Sequence, residues 1–267
     1  MRFGAYTQLF SDYRAVLPYS VLGVLAGIVS AAVILAFDWL ITGTSSLWLG
    51  DLAPEDFESL PPWLRFALPV LGAAALGLAY TKLIPGDREV GIVHVLSRME
   101  SHYGNLPMRN ALVQFFAGAI AIATGQSGGR EGPGVHLGAA INSSIAARLS
   151  LPNNSQRILI ACGTAGSIAV AFNTPLAGVL FAMGVIVAEY TVVGFTPVIL
   201  AAVSATVVGR VFGDGAAIFS IPPVYVNSLL ELPLIVLLGV ACGAVTAVFI
   251  VLLKRCLPLA RYPVAVR

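Results

Sequence analysis

Long runs without a charge decide what this chain can become. Residues 15–37 and 232–253 each hold more than 20 consecutive uncharged, mostly apolar residues. About 20 such residues cross the hydrocarbon core of a bilayer as a helix. No water is available there to bond N–H and C=O groups, so a spanning segment has to bond its own backbone, which a helix does. Composition agrees: 58% of residues are hydrophobic and 10% charged, against about a quarter charged in a soluble domain. The net charge of +2 gives no ground for a nucleic-acid partner. The chain reads as an all-α, polytopic integral membrane protein.

Against that background one stretch stands out: Gly125-Gln126-Ser127-Gly128-Gly129-Arg130-Glu131-Gly132-Pro133-Gly134. Apolar, uncharged segments of roughly 16 to 19 residues flank it, long enough to reach well into or across a bilayer. A charged side chain at mid-bilayer costs about 2.5–3.5 kcal/mol on insertion scales, so Arg130 and Glu131 point to a function. Gly129 and Gly132 expose backbone N–H groups, and Pro133 suits the first turn of a helix. A helix opening from such a break offers unpaired donors and the positive end of its dipole to an anion. The inference is an intramembrane anion site at Gly129, Arg130, Gly132 and Pro133, with the Glu131 carboxylate standing in it.

The remaining chain reads as uneven spans. Residues 15–37 form the first, an acidic loop follows over 38–65, and 66–81 form a second, shorter span. The 82–109 region carries Lys82, Arg88, Arg98 and Arg109, which the positive-inside rule places in the cytoplasm with the amino terminus. Within it, residues 90–96 are apolar but too short to cross, and fit a re-entrant half-helix. Residues 111–129 and 132–147 follow, the latter with Gly134 and Gly138 spaced for close helix approach. Helices are expected over 158–171, 176–188 and 198–212. Asn154 and Ser155, then Asn173 and Thr174, suit N-caps, and Pro175 and Pro197 suit helix starts. The last span, 232–253, closes on Lys254 and Arg255. Broken helices aimed at a midplane site mark secondary transporters and related channels.

Other chemistries fare poorly. The glycine cluster lacks the Gly-x-x-x-x-Gly-Lys pattern of a nucleotide loop. Glu131 and His136 alone fall short of a zinc site. His136 reads as a polar contact between helices, and His94 and His102 as solvated or capping residues. Cys162, Cys242 and Cys256 are isolated and imply neither disulfide nor metal. No cofactor is expected, and no enzymatic activity.

Gly129-Arg130-Glu131-Gly132-Pro133 resembles a signature of the CLC family of chloride channels and chloride/proton antiporters. Ala171-Phe172-Asn173-Thr174-Pro175-Leu176-Ala177-Gly178-Val179-Leu180-Phe181 is similar to a second stretch of that family, at the expected separation. The resemblance implies a fold of tilted and re-entrant helices forming the first half of an inverted repeat. It implies chloride or a similar small monovalent anion as cargo, Glu131 as the gate, a homodimer formed around 176–188 and 198–212, and a place in the cell (inner) membrane. As a carboxylate, the gate fills an anion site; protonated, it swings away. The plainer alternative is a structural Glu131–Arg130 pair.

Three departures qualify the resemblance. Val90 stands, before Gly91, where the family places an anion-binding serine hydroxyl, so only backbone N–H groups near Gly91 could serve. Val185 holds the place of the antiporters' inner proton glutamate, which tilts the expectation toward channel-like passage. Glu189, four residues on, is a candidate substitute. Finally, the chain matches the first half of the family plus one long helix. It reads as a single transmembrane domain over 1–267, cut short before the second repeat. A second-half polypeptide is a candidate partner, and a half-protein without transport is the rival reading.

Overall fold

The computed structural model describes residues 16–50, 57–188, 192–213, 228 and 231–256. Among the described residues every regular element is helical. The chain divides into two units, residues 1–218 and 219–267. The second contributes one described helix, Glu231–Cys256, close to the expected final span. Among the described residues, five helices are long and apolar enough to cross a membrane.

The first unit opens with α1, Val16–Leu49. Its 34 residues span about 51 Å at 1.5 Å each, well beyond a hydrocarbon core of about 30 Å. The sequence placed the end of this helix at Asp38, but the helix runs through it. Asp38 does not need a loop because Arg130 Nη1 lies 3.4 Å from its carboxylate and compensates the charge inside the protein. Helix α2, Pro62–Lys82, starts earlier than expected, with proline in its first turn. Helix α3, Gly91–Ser101, is the short re-entrant candidate. Its 11 residues cover about 16 Å, half a bilayer. Helix α4, Met108–Ala123, stops several residues before the glycine break rather than running up to it.

Helices α5, Glu131–Arg148, and α6, Asn153–Phe172, follow. Neither Asn154 nor Ser155 caps α6. The cap position belongs to Pro152, and the Ser155 hydroxyl instead meets the Tyr19 hydroxyl of α1 at 2.5 Å. Asn173 ends α6 in the left-handed region, φ 53°, and its Oδ1 accepts a bond from Arg210 Nε at 2.9 Å. Pro175 starts α7 as expected, but α7 covers only Pro175–Phe181 and widens into a π turn over Ala182–Val187. Helix α8, Val192–Phe212, carries Pro197 in its interior instead of at its start.

Small residues hold these helices together. A Cβ on Gly23 or Gly27 of α1 would collide with the backbone carbonyls of Pro197 or Ala201 in α8. Gly138 of α5 and Gly163 of α6 sit face to face in the same way, and Gly178 of α7 lies on the Ala165 carbonyl. Lipid gives apolar helices little reason to associate, so close backbone packing through small residues supplies the attraction. Of the expected Gly134–Gly138 pair, only Gly138 makes such an approach; the nearest atom to a Cβ at Gly134 would be Ile34 Cδ1 at 3.7 Å. Buried polar bonds add direction. Asn142 Nδ2 donates to Ser30 Oγ across α5 and α1 at 2.9 Å. Ser143 Oγ donates to the Gly104 carbonyl at 2.7 Å and accepts from the Leu106 amide at 3.0 Å.

Candidate functional site

The site is built from two helix starts. Residues 124–130 leave helix α4 through Gly125, whose φ of 76° suits glycine and whose missing Cβ makes room for the Phe57 ring. The chain then turns into α5 at Arg130, with Glu131 in the first turn. Pro133 has no N–H, and the Gly134 amide bonds the Arg130 carbonyl at 2.8 Å. The amides of Glu131 and Gly132 have no acceptor within the helix, as the first turn dictates. The Arg130 side chain provides no cap.

Glu131 folds back over the glycine strand that precedes it. A Cβ at Gly129 would occupy the place of Glu131 Oε2. Glycine at 129 therefore lets the carboxylate lie along the backbone of its own helix start. The residue is exposed, not buried among side chains. Arg130 turns elsewhere: its ion pair is with Asp38 of α1, both side chains being less than a third exposed. Among the described residues no ion pair joins Arg130 to Glu131.

The second start is that of α3. Val90 is extended, φ −142° and ψ 170°, and has no side-chain atom able to cap the helix. Gly91 adopts φ 81°, a conformation open to glycine and strained for other residues. Asn110, from the first turn of α4, fixes the approach to this start. Its Nδ2 donates to the carbonyls of Gly86 and Glu89 at 2.7 and 2.8 Å.

The two starts lie on the same side. Early in each helix His94 meets His136; just past the end of α3 the Gly104–Leu106 segment, tied to its last turn by the Gly104 amide on the Arg98 carbonyl, meets Ser143 late in α5. Helices in contact at both points in that order run in the same direction. Gln114 of α4 joins them. Its Oε1 would be 4.0 Å from a Cβ on Gly91, and its Nε2 and Pro133 Cγ both border Gly118, at 3.1 and 3.3 Å from a Cβ there. The sequence reading passed over Gln114, although an amide side chain amid the apolar residues 111–123 was a signal. It also misplaced His94, which is 5% exposed and paired with His136 rather than solvated. His136 is, as expected, a polar contact between helices.

Of the two proton-site positions the structure describes Val185, on a turn that packs on α3. Val185 sits on the π turn and is 43% exposed. Ala188 then takes a left-handed φ of 55° and ends the turn. Glu189 itself lies outside the described residues.

Comparison with known proteins agrees with this architecture. The family model described as voltage gated chloride channel matches residues 72–266. The H(+)/Cl(-) exchange transporter ClcA of Vibrio cholerae serotype O1 is 32% identical over 242 residues, covering 87% of this chain and 51% of its own. The protein of the same name from Vibrio parahaemolyticus is 30% identical over 246 residues, 88% of this chain and 52% of its own. The chain thus spans about half the length of the relatives it matches. Among solved structures, a slow cyanobacterial Cl−/H+ antiporter is similar with a TM-score of 0.74 and 22% identity, over 92% of this chain and 59% of that one. A CLC-type fluoride/proton antiporter is similar with a TM-score of 0.67 and 24% identity, over 85% and 55%. These two likenesses show the fold. With 195 matched residues (72 to 266) out of 267, the chain is an integral membrane protein that belongs to the voltage gated chloride channel family, the CLC proteins.

Proposed function

We propose that the first unit forms one wall of a path for a small monovalent anion, chloride in the first instance, with Glu131 as its gate. The observation that carries this reading is the placement of the Glu131 carboxylate over Gly129, beside two uncapped helix starts that face the same way. A carboxylate there is the chain's own anion, lying along a backbone that would otherwise receive a free one. Protonation removes its charge and its claim on the amides, so anion passage becomes tied to pH. At the second start the donors are the amides of Gly91 and its successors, since Val90 offers no hydroxyl. The opposite wall comes from residues outside those described, in a longer chain or in a second polypeptide. The homodimer expected around 176–188 and 198–212 belongs to the same proposal.

Val185 supports channel-like passage, because valine carries no proton. A second reading, exchange of the anion against protons, is favoured by the relatives named as H(+)/Cl(-) exchange transporters. Chloride release from proteoliposomes that hold this chain together with the opposite wall, as a longer chain or with a second-half polypeptide, followed with an electrode at acidic and neutral pH, tests the common part. Wild-type release should rise on acidification, and Glu131→Gln should be fast and flat. No release above that of empty vesicles, or an unchanged pH response in Glu131→Gln, would refute it.

A further inference from the structure

Val185 leaves this wall without a proton carrier where the family resemblance puts one, yet two other titratable side chains are buried in the same unit. His94 on α3 is 5% exposed and His136 on α5 is fully buried. His94 Nδ1 and His136 Nε2 are 3.0 Å apart, with the rings edge to face at 68°. At that distance two neutral imidazoles share a proton, one ring donating and the other accepting. The two ends of the pair differ. His94 Nε2 faces Glu89 Oε2 at 3.9 Å, and the Glu89 side chain is 68% exposed. His136 Nδ1 is buried and has no hydrogen-bond partner. Leaving a buried polar atom unbonded costs about 1–3 kcal/mol, so its presence calls for a reason. A pair that merely tied α3 to α5 would need the shared bond. It would need neither the open nitrogen at one end nor the carboxylate at the other.

The surroundings single out Glu89. Arg98, one turn beyond His94, spends its Nε on the Asn105 carbonyl at 2.7 Å. Helix α1 brings Asp38, which is paired with Arg130. Helix α4 brings the neutral amides of Asn110 and Gln114, and α6 the buried thiol of Cys162. Glu131 lies at the start of α5, folded over Gly129. The turn Ala182–Val187, which packs on α3 and carries Val185, has no titratable side chain. Among the described residues, Glu89 is the carboxylate within 4.0 Å of the pair.

We propose that Glu89, His94 and His136 form a proton relay inside this wall, an inference that rests on the second reading of the anion path, exchange of the anion against protons. A hydrated proton (H3O+) reaching His136 Nδ1 protonates it and leaves as water. His136 passes its Nε2 proton to His94 Nδ1, and His94 passes its Nε2 proton to the Glu89 carboxylate, whose exposed side chain rotates to close the last gap. One proton enters and one leaves, and both rings end in the opposite tautomer. Reverse transfer or ring rotation resets them. The relay takes the role that Val185 cannot fill.

The test uses proteoliposomes holding this chain together with the opposite wall, as a longer chain or with a second-half polypeptide, a potassium gradient and valinomycin, with proton uptake and chloride release recorded by separate electrodes. Wild type should take up protons. His136→Gln should slow uptake at least about tenfold while chloride release stays within about twofold, since a positioned proton carrier contributes at least that much. Glu89→Gln changes an exposed side chain, keeps the fold, and should slow uptake likewise. Wild-type vesicles that release chloride but take up no protons overturn the relay and leave the anion path standing. Uptake at the wild-type rate in either variant overturns it as well. Uptake that depends on His136 without chloride release supports the relay and refutes the anion path.

Discussion

The helix crossings of α1, α5, α6 and α8 and the paired starts of α3 and α5 use glycine for opposite ends. At the crossings, Gly23, Gly27, Gly138 and Gly163 lack a Cβ because another helix's backbone occupies its place. At the starts, Gly128 and Gly132 face open space, and Gly129 faces the Glu131 carboxylate. The crossings convert missing side chains into contact; the starts convert them into accessible backbone. Stability therefore resides in one region and chemistry in the other, and substitutions should separate the two.

The largest effect is expected at the crossings. Gly163→Leu would drive a side chain into the Gly138 carbonyl and the Asn142 amide. Overpacking costs about 1–3 kcal/mol where neighbours can shift, and here one neighbour is backbone. Loss of monodisperse protein on size exclusion in detergent is expected. The same change at Gly132, where a Cβ meets nothing within 4 Å, should leave elution unchanged. Equal behaviour of the two variants would erase the contrast.

Asp38→Asn comes next. It removes the Asp38 carboxylate from Arg130, and breaking a mostly buried ion pair costs about 3 kcal/mol, the low end for such pairs. Thermal unfolding in detergent should show the loss, and Asp38→Asn with Arg130→Gln should recover much of it. A double variant no better than the single would show that Arg130 is held by other contacts. Ser143→Ala is smaller. It removes the bonds to the Gly104 carbonyl and the Leu106 amide just past the end of α3. The cost should be about 1–3 kcal/mol, the penalty of leaving buried backbone groups unbonded. Tyr19→Phe should be smallest, about 1 kcal/mol for one hydrogen bond.

Much of this was legible in the residues. Uncharged runs located most spans, Pro175 marked a true helix start, and the Gly129–Pro133 signature located the break before α5. Errors fell where a distant partner overrides a local rule. Asp38 looks like the end of a helix until Arg130, far along the chain, neutralises it. Pro197 looks like a start, yet α8 begins earlier and packs its proline carbonyl on Gly23 of α1. Ser155 looks like a cap, but the Tyr19 hydroxyl claims it. His94 sits in a segment too short to span, so its burial depends on α5 and leaves no local trace. The direction of the Glu131 side chain was not legible at all, since its place over Gly129 appears only once the chain is folded.

The central claim is that the amides around Glu131 hold an anion where its own carboxylate lies. Crystals of Glu131→Gln grown in bromide, with anomalous scattering recorded at the bromine edge, test it directly. A bromide peak beside the amides of residues 129–132, absent from wild type where the carboxylate takes its place, is the predicted result. No peak there in the variant, or equal peaks in both proteins, would contradict it.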